Sequence, residues 1–344
     1  MERLYIDLHV IQTVPPSCVN RDDTGSPKTA VYGGVKRARV SSQAWKKAMR
    51  DAFRDAFDEA ELGIRTLKLV EYVAEKIAEI SPETGESDAM DLALKVINLT
   101  GVTTAPNKKT NIQEAKALFF ISAKQARNLA QLILNNPDAA KKDAQAALNA
   151  GSAVDISLFG RMVADDPNLN TDACAQVAHA ISTHRADNEY DYFTAVDDLR
   201  AEDTAGSTMI GTVEYNSATL YRYATLAAHE LRAQLNDDAV YRRAVFEFAR
   251  AFVTSMPTGK LNTFANRTLP DSVVIALRRD QPVNLVGAFE SPIGGEGFAQ
   301  KSIDRFNTYA RDTYKLYGAP VKTLTLGTDG DLAGILDALQ AEAL

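Results

Sequence analysis

Cysteine is scarce in this chain of 344 residues: Cys18 and Cys174 are the only two, far apart. They offer neither a disulfide framework nor a metal-ligand pair. Histidine is nearly as sparse, with His9 and His229 isolated and His179 and His184 five residues apart. Metal ligands on one helical face sit three or four apart, so capping or core hydrogen bonding is the expected role of that pair. No window approaches 18 continuous apolar residues, which excludes a membrane-spanning helix. The start, Met-Glu-Arg-Leu-Tyr, has no basic region followed by an apolar run, so no signal peptide is expected. These absences describe a protein of the reducing cytoplasm with no membrane, metal or cofactor.

The familiar enzymatic patterns are also thin. Gly294-Gly-Glu-Gly297 lacks the strand and helix context of a dinucleotide fingerprint and reads as a loop. Thr258-Gly-Lys-Leu-Asn262 lacks the upstream glycine spacing of a phosphate loop, leaving Lys260 either a phosphate ligand or an exposed lysine. Asp22-Asp23 and Asp197-Asp198 are paired carboxylates able in principle to hold Mg²⁺, but no third ligand or positioned base accompanies them. No catalytic residue is assigned.

What the chain does have is misplaced charge. Its net charge is −7, yet the stretch from Lys28 to Arg54 holds eight Lys or Arg residues and one acid, Asp51. That stretch is therefore +7 and the remainder −14. Clustered cations in an acidic protein point to a polyanion, nucleic acid first, because phosphate neutralisation releases counterions. Val35 to Val40 alternates as a strand does, placing Arg37, Arg39 and Ser41 on one face. Ser41-Ser42 supplies cap chemistry for a helix from Gln43 to about Phe57. On that helix Gln43, Lys46, Lys47, Arg50 and Arg54 share one arc, opposite Trp45, Met49, Ala52, Phe53 and Ala56. A solvated helix face normally interleaves Glu with Lys, and this one does not. The geometry further implies that Lys46 and Arg50 can be reversed in charge without harm to the fold.

The coarse plan is α+β. Arg3 to Ile11 reads as a half-buried strand, and 61–150 is helical throughout. Within it, Ser87 caps a helix to Leu99, Asn111 with Glu114 starts another, and Asn136-Pro137 begins a third that Gly151 ends. Strands are expected at Val154–Phe159, Thr212–Tyr223 and Ser272–Leu277, and helices at about 282–290 and 298–316.

The runs Pro16 to Asp23, Tyr32-Gly-Gly34, Arg39 to Gln43, Lys46 to Arg50, Asp155 to Met162, His179 to His184, Tyr192 to Leu199 and Phe306-Asn-x-Tyr309 stand in this order along the chain. Together they resemble the CasC-type backbone subunit of the type I-E CRISPR Cascade, in the RAMP superfamily. The matches run in order from residue 5 to about 318, poorly over 60–150 and hardly at all after Gly318. The resemblance implies a ferredoxin-like, RNA-recognition-motif-like palm (1–60, 151–185 and 221–344), helical fingers inserted at 61–150, and an extended hairpin thumb at 186–220. It implies a non-catalytic protein that polymerises along a guide RNA (crRNA), presents it in kinked segments to target DNA, and assembles with further copies and other Cascade subunits. RNA contacts fall on Arg21, Lys28, Arg37, Arg39, Ser41, Gln43, Lys46, Lys47, Arg50, Arg161 and Lys260, with Met162 as a wedge beside the guide. Lys141 and Lys142 are candidates for duplex DNA. Related subunits of other CRISPR types cut RNA with a loop aspartate, so cleavage by Asp22 or Asp23 is the alternative.

Overall fold

The computed structural model describes residues 2–164, 166–195 and 210–343. Strands β1 (Tyr5–Ser17), β2 (Thr29–Tyr32) and β3 (Val35–Val40) lead into helix α1 (Ser42–Phe53). Next come β4 (Gly63–Thr66), α2 (Leu69–Ile80), α3 (Glu86–Thr100), β5 (Thr104–Pro106), β6 (Gln113–Ala115) and β7 (Phe119–Ser122). Helices α4 (Ala123–Asn135), α5 (Lys141–Asn149) and α6 (Val154–Phe159) precede β8 (Ala175–Val177), β9 (Ala180–Ser182), β10 (Glu189–Thr194) and β11 (Ile210–Ala227). The chain closes with α7 (Ala228–Leu235), α8 (Asp238–Thr254), α9 (Leu261–Phe264), β12 (Ser272–Arg278), α10 (Phe298–Tyr317), β13 (Lys322–Thr325) and α11 (Leu332–Glu342). The α+β expectation holds, and every pairing with a defined register is antiparallel. Among the described residues no helix is long and apolar enough to cross a membrane.

The chain divides into two compact units, one made of Arg50–Gln176 and Leu226–Glu247, the other of Glu2–Met49, Val177–Thr225 and Phe248–Leu344. The second is a sheet unit ordered β13-β12-β1-β11-β9-β3-β2, with β10 also paired to β11. The β2–β3 hairpin turns on Gly33 and Gly34, both at positive φ, which suits the tight turn joining Tyr32 to Val35. Gly33 is also obligatory for space, since a Cβ there would lie 1.7 Å from the Glu290 carbonyl oxygen. The hairpin of β10 and β11 pairs Glu189 with Tyr215 through Thr194 with Ile210. The expected Asp197-Asp198 pair and residues 196–209 of the expected thumb lie outside the described residues.

The other unit is mainly helical. Apolar stripes such as Leu69, Val73 and Ile77 on α2 meet Ala93, Val96 and Ile97 of α3, Leu129 and Ile133 of α4, and Leu148 of α5. Ser122 and Gln125 form a reciprocal capping box at the start of α4, with bonds of 3.0 and 3.1 Å.

Several local expectations are overturned. Val154–Phe159 is helix α6, not a strand, because Asp155 and Ser157 are buried along with the apolar residues they alternate with. Burial on all sides hides the helical period. Asn111 takes φ 58 in the turn joining β5 to β6, and the Glu114 carboxylate accepts a bond from the Asn107 side-chain amide, so no helix begins there. Helix α3 is capped by Gly85, not Ser87; Asn136 ends α4, and α5 begins only at Lys141 and closes on Ala150. The 282–290 segment holds one short 3₁₀ turn, Leu285–Phe289. Helix α1 stops at Phe53, leaving exposed Arg54 in a turn, while Phe57 packs edge-on against Phe53 at 5.8 Å.

Strand β1 is covered on both faces rather than half-buried. His9 is buried against Phe306 of α10 and Tyr223, with its Nδ1 2.9 Å from the Tyr221 hydroxyl. Asp7 accepts bonds from the Tyr223 hydroxyl and the Val283 amide. Burial, with Arg278 adding repulsion, lowers the His9 pKa from 6.5 to about 3. The folded chain therefore excludes a proton that the unfolded chain accepts below 6.5, so stability present above that pH is lost as pH falls toward 3. Asp7 acts in the opposite sense, because burial raises its pKa. Wild-type stability should therefore fall more steeply than that of His9→Asn as pH drops below 6.5, the difference in slope approaching about 1.4 kcal/mol per pH unit. Denaturant titrations across that window measure it. Parallel curves would mean that the folded protein binds the proton at His9.

Candidate nucleic-acid interface

The loop between β1 and β2 is built, not loose. The Asp22 carboxylate accepts from the Thr24 amide at 2.9 Å, the Thr24 hydroxyl at 2.7 Å and the Ser26 amide at 3.0 Å. Those bonds, the Thr24 hydroxyl foremost, hold its pKa below the usual carboxylate range. Arg21 pairs in register with Pro27, and the Lys28 amide donates to the Asn20 carbonyl at 2.8 Å. Asn20 in turn accepts from the Ser41 amide at 2.9 Å, tying the loop to the start of α1.

A second turn closes over the first. A Cβ on Gly259 would lie 2.1 Å from the Val19 carbonyl oxygen, so the backbones approach as only glycine permits. Lys260 follows at φ 45. Both Lys260 and Arg21 act electrostatically on the Cys18 thiol, whose pKa burial raises. Arg39 donates to the Thr29 carbonyl at 3.1 Å and lies 3.4 Å from His179 Nδ1. His179 Nδ1 accepts from the Ser42 amide at 3.2 Å, the capping role expected of it. Burial first, then Arg39 and Lys28, lower the His179 pKa and favour the neutral ring that this bond needs. Thus Arg21, Lys28, Arg39 and Lys260 gather around one ordered loop, and among the described residues none of them forms an ion pair. The cleft between Asn20, Lys28 and Arg39 measures about 20 Å³, space for about one water, so a ligand must lie across this surface.

Four other expected contacts belong to the fold. Arg37 is fully buried, its guanidinium donating to the carbonyls of Tyr32, Ser182, Phe289 and Glu290. The alternation that placed it beside Arg39 was correct, but the 285–290 segment covers its part of that face. Arg161 is buried likewise, bonded to the carbonyls of Leu169 and Phe120 and the side chains of Gln125 and Asn149; burial lowers its pKa to about 10. Arg50 forms an ion pair with Asp155 at 2.9 Å and donates to the Gly63 carbonyl. Ser41 is buried and caps α1 through the Ala44 amide at 3.3 Å. The basic arc thus reduces to exposed Gln43 and Lys47 and half-buried Lys46.

Elsewhere Lys141 is held by Asp166 at 2.9 Å, while Lys142 is exposed. His184 is a core histidine stacked on Phe298, its Nε2 accepting from the Thr219 amide at 3.1 Å. Asp23 is exposed, and among the described residues no cluster of three His, Cys, Asp or Glu is placed to hold a metal ion. Met162 is 87% exposed. Gly160 turns the chain at φ 76, Arg161 pairs its backbone with Thr171, and the Val163 amide donates to the Asn170 side chain at 2.7 Å. Met162 therefore projects from a clamped loop beside a groove of about 570 Å³. Sequence reasoning missed Asn20 as the tie between loop and helix. Its only signal was an Asn two residues past a buried cysteine.

The Arg50–Asp155 pair separates structural from surface charge. Asp155 is buried, and burial raises its pKa even with Arg50 beside it. Arg50→Glu should destabilise by about 3–5 kcal/mol, the scale for breaking a buried pair. Lys47→Glu should cost under about 1 kcal/mol. Chemical denaturation of the two variants checks the contrast, and equal losses would mean that Arg50 is mere surface.

Comparison with known proteins bears on this arrangement. No curated protein matches the chain. The chain is similar to one in a solved structure described as "CRISPR RNA-guided surveillance complex, pre-nicking": 31% identity, TM-score 0.85, covering 99% of this chain and 100% of that one. It is also similar to one in a structure described as "CRISPR RNA-guided surveillance complex", at 27% identity and TM-score 0.74, covering 98% of this chain and 99% of that one. The resemblance drawn from the motifs, to a Cascade backbone-type subunit, is borne out. A family model matches residues 6–342, and on that extent the chain belongs to the CT1975-like protein family.

Proposed function

We propose that this protein is a non-catalytic crRNA-binding backbone subunit of a type I-E CRISPR Cascade. The observation that carries the reading is the set Arg21, Lys28, Arg39 and Lys260, gathered around a stapled loop with no carboxylate spent on them. Exposed Gln43 and Lys47 at the start of α1 extend that surface. Such cations bind phosphates without reading bases, which suits a guide whose base edges must stay free for pairing. Likeness to chains of RNA-guided surveillance complexes supports the same conclusion.

In this reading the sheet unit is the ferredoxin-like palm, the helical unit carries the fingers, and the β10–β11 hairpin is the thumb. Copies repeat head-to-tail along the guide in an open filament, and the thumb of each folds over its neighbour's stretch of RNA. Met162 wedges the RNA at the kinks, since a projecting apolar side chain can prop open a stack. Further partners are the target DNA and the other Cascade subunits, all in the cytoplasm. Asp22 works here as a loop staple, consistent with a protein that binds and does not cut.

Lys28→Glu with Lys260→Glu should reduce the RNA recovered with the purified assembly by tenfold or more (on the order of 1.4 kcal/mol or above). The melting temperature should stay within a few degrees, because neither side chain is tied into the interior. Undiminished RNA in that variant would refute the interface. Mg²⁺-dependent cutting of bound RNA, abolished by Asp22→Ala or Asp23→Ala, would replace the proposal with the nuclease reading.

A further inference from the structure

The cleft beside the stapled 20–28 loop is too small for a base or a phosphate, but it suits a hydroxyl. Its volume of about 20 Å³ is that of about one water. Val14, Val19, Pro27, Val40 and Leu220 make much of its wall, which would desolvate any charge drawn inside. Lys28 and Arg39 line it as well, and its neutral polar side chains are Ser17, Asn20 and Asn216. The Ser17 hydroxyl is committed to the Pro15 carbonyl at 2.8 Å.

Each of the two asparagines has its amide oriented by a neighbour that permits one choice. The Ser41 amide can only donate, so the Asn20 oxygen faces it at 2.9 Å and the Asn20 Nδ2 is left over. Asn216, Ala218 and Leu220 alternate along β11 and present one strand face to the cleft. Opposite Asn216, one step beyond the Glu189–Tyr215 pair, stands Asn188. The ionised Glu214 carboxylate can only accept, so it takes the Asn188 Nδ2 at 3.0 Å. That turns the Asn188 oxygen toward Asn216, whose Nδ2 donates to it at 3.2 Å. The Asn216 oxygen is thereby left over. Among the described residues neither the Asn20 Nδ2 nor the Asn216 oxygen has a hydrogen-bond partner.

One free donor and one free acceptor in a water-sized cleft match a group that both donates and accepts. On a nucleic-acid strand lying across the surface, that group is the ribose 2′-hydroxyl, which DNA lacks. We infer that the cleft takes one 2′-hydroxyl of the guide strand, with Asn20 donating to its oxygen and Asn216 accepting its hydrogen, and that this contact selects RNA over DNA. The inference rests on the backbone reading above and adds a sugar-reading site to it. The cations hold phosphates whichever sugar carries them. The two amides distinguish the sugars, because a deoxyribose leaves both without a partner. Glu214 and Asn188 are positioning residues, acting only through the orientation of Asn216.

The test assembles the chain with its partner subunits on synthetic guides of one sequence that carry sparse 2′-deoxy substitutions, and maps which substitutions are excluded from the loaded complex. Exclusion should recur at a regular nucleotide interval, one position per copy. An all-deoxy guide should load about tenfold less well or worse, the scale of neutral hydrogen bonds left unmade. Asn216→Ala should remove the exclusions and weaken loading of the ribose guide. The slope of log affinity against log salt should stay as it is, because no charge is lost. Glu214→Gln should relax the exclusions too, since an amide in place of the carboxylate no longer fixes Asn188. Thermal melts establish that the variants fold, and if Asn216→Ala does not, Glu214→Gln decides. Guides loaded without periodic exclusion, or exclusions that persist in the folded variants, would mean that the cleft holds only water. Either result overturns the inference while the backbone reading stands. If the wild-type complex carries no guide of either sugar, both fall.

Discussion

Burying a guanidinium presses the fold to supply acceptors for its donors, and this protein does so repeatedly without a carboxylate, although the buried Nε of Arg222 is left without one. Arg37 takes main-chain carbonyls from both sides of the β2–β3 hairpin's surroundings. Arg161 takes carbonyls and neutral amides. Arg222 lies 3.7 Å over the Trp45 ring and bonds Gln12 and the Phe252 carbonyl, with its pKa lowered to about 9 by burial. Each guanidinium draws several chain segments to one point, so each fixes the loops around it. Arg37 holds the hairpin that leads to Arg39 and α1, and Arg161 holds the loop that presents Met162.

The proposed binding surface follows from that division of labour. Cations spent on the interior set geometry; the ones left over face outward. Around the stapled 20–28 loop the leftovers are Arg21, Lys28, Arg39 and Lys260. The rest of the chain sums to −14, against +7 for residues 28–54.

Much of this was legible in the amino-acid order. The alternation of β3, the capping at Ser41, the long strands β11 and β12, and helix α10 all follow from local pattern. The charge asymmetry of residues 28–54 pointed to the proposed interface through Lys28 and Arg39, while Arg21 and Lys260 lie outside that stretch. What local pattern does not reveal is which basic residues are covered. Arg37 and Arg50 look like surface charge because their acceptors, Phe289 and Asp155, lie more than a hundred residues away. The same blindness turned Val154–Phe159 into a strand, since burial on every side erased its helical period.

The most direct measurement is to purify the chain from cells that also express its partner subunits and a repeat–spacer array, and to sequence the RNA that accompanies it. One defined spacer-plus-repeat species in a large stoichiometric complex, with nuclease protection that lengthens in regular steps as copies are added, is the predicted result. Heterogeneous short RNA on a monomer, or none at all, would contradict the account.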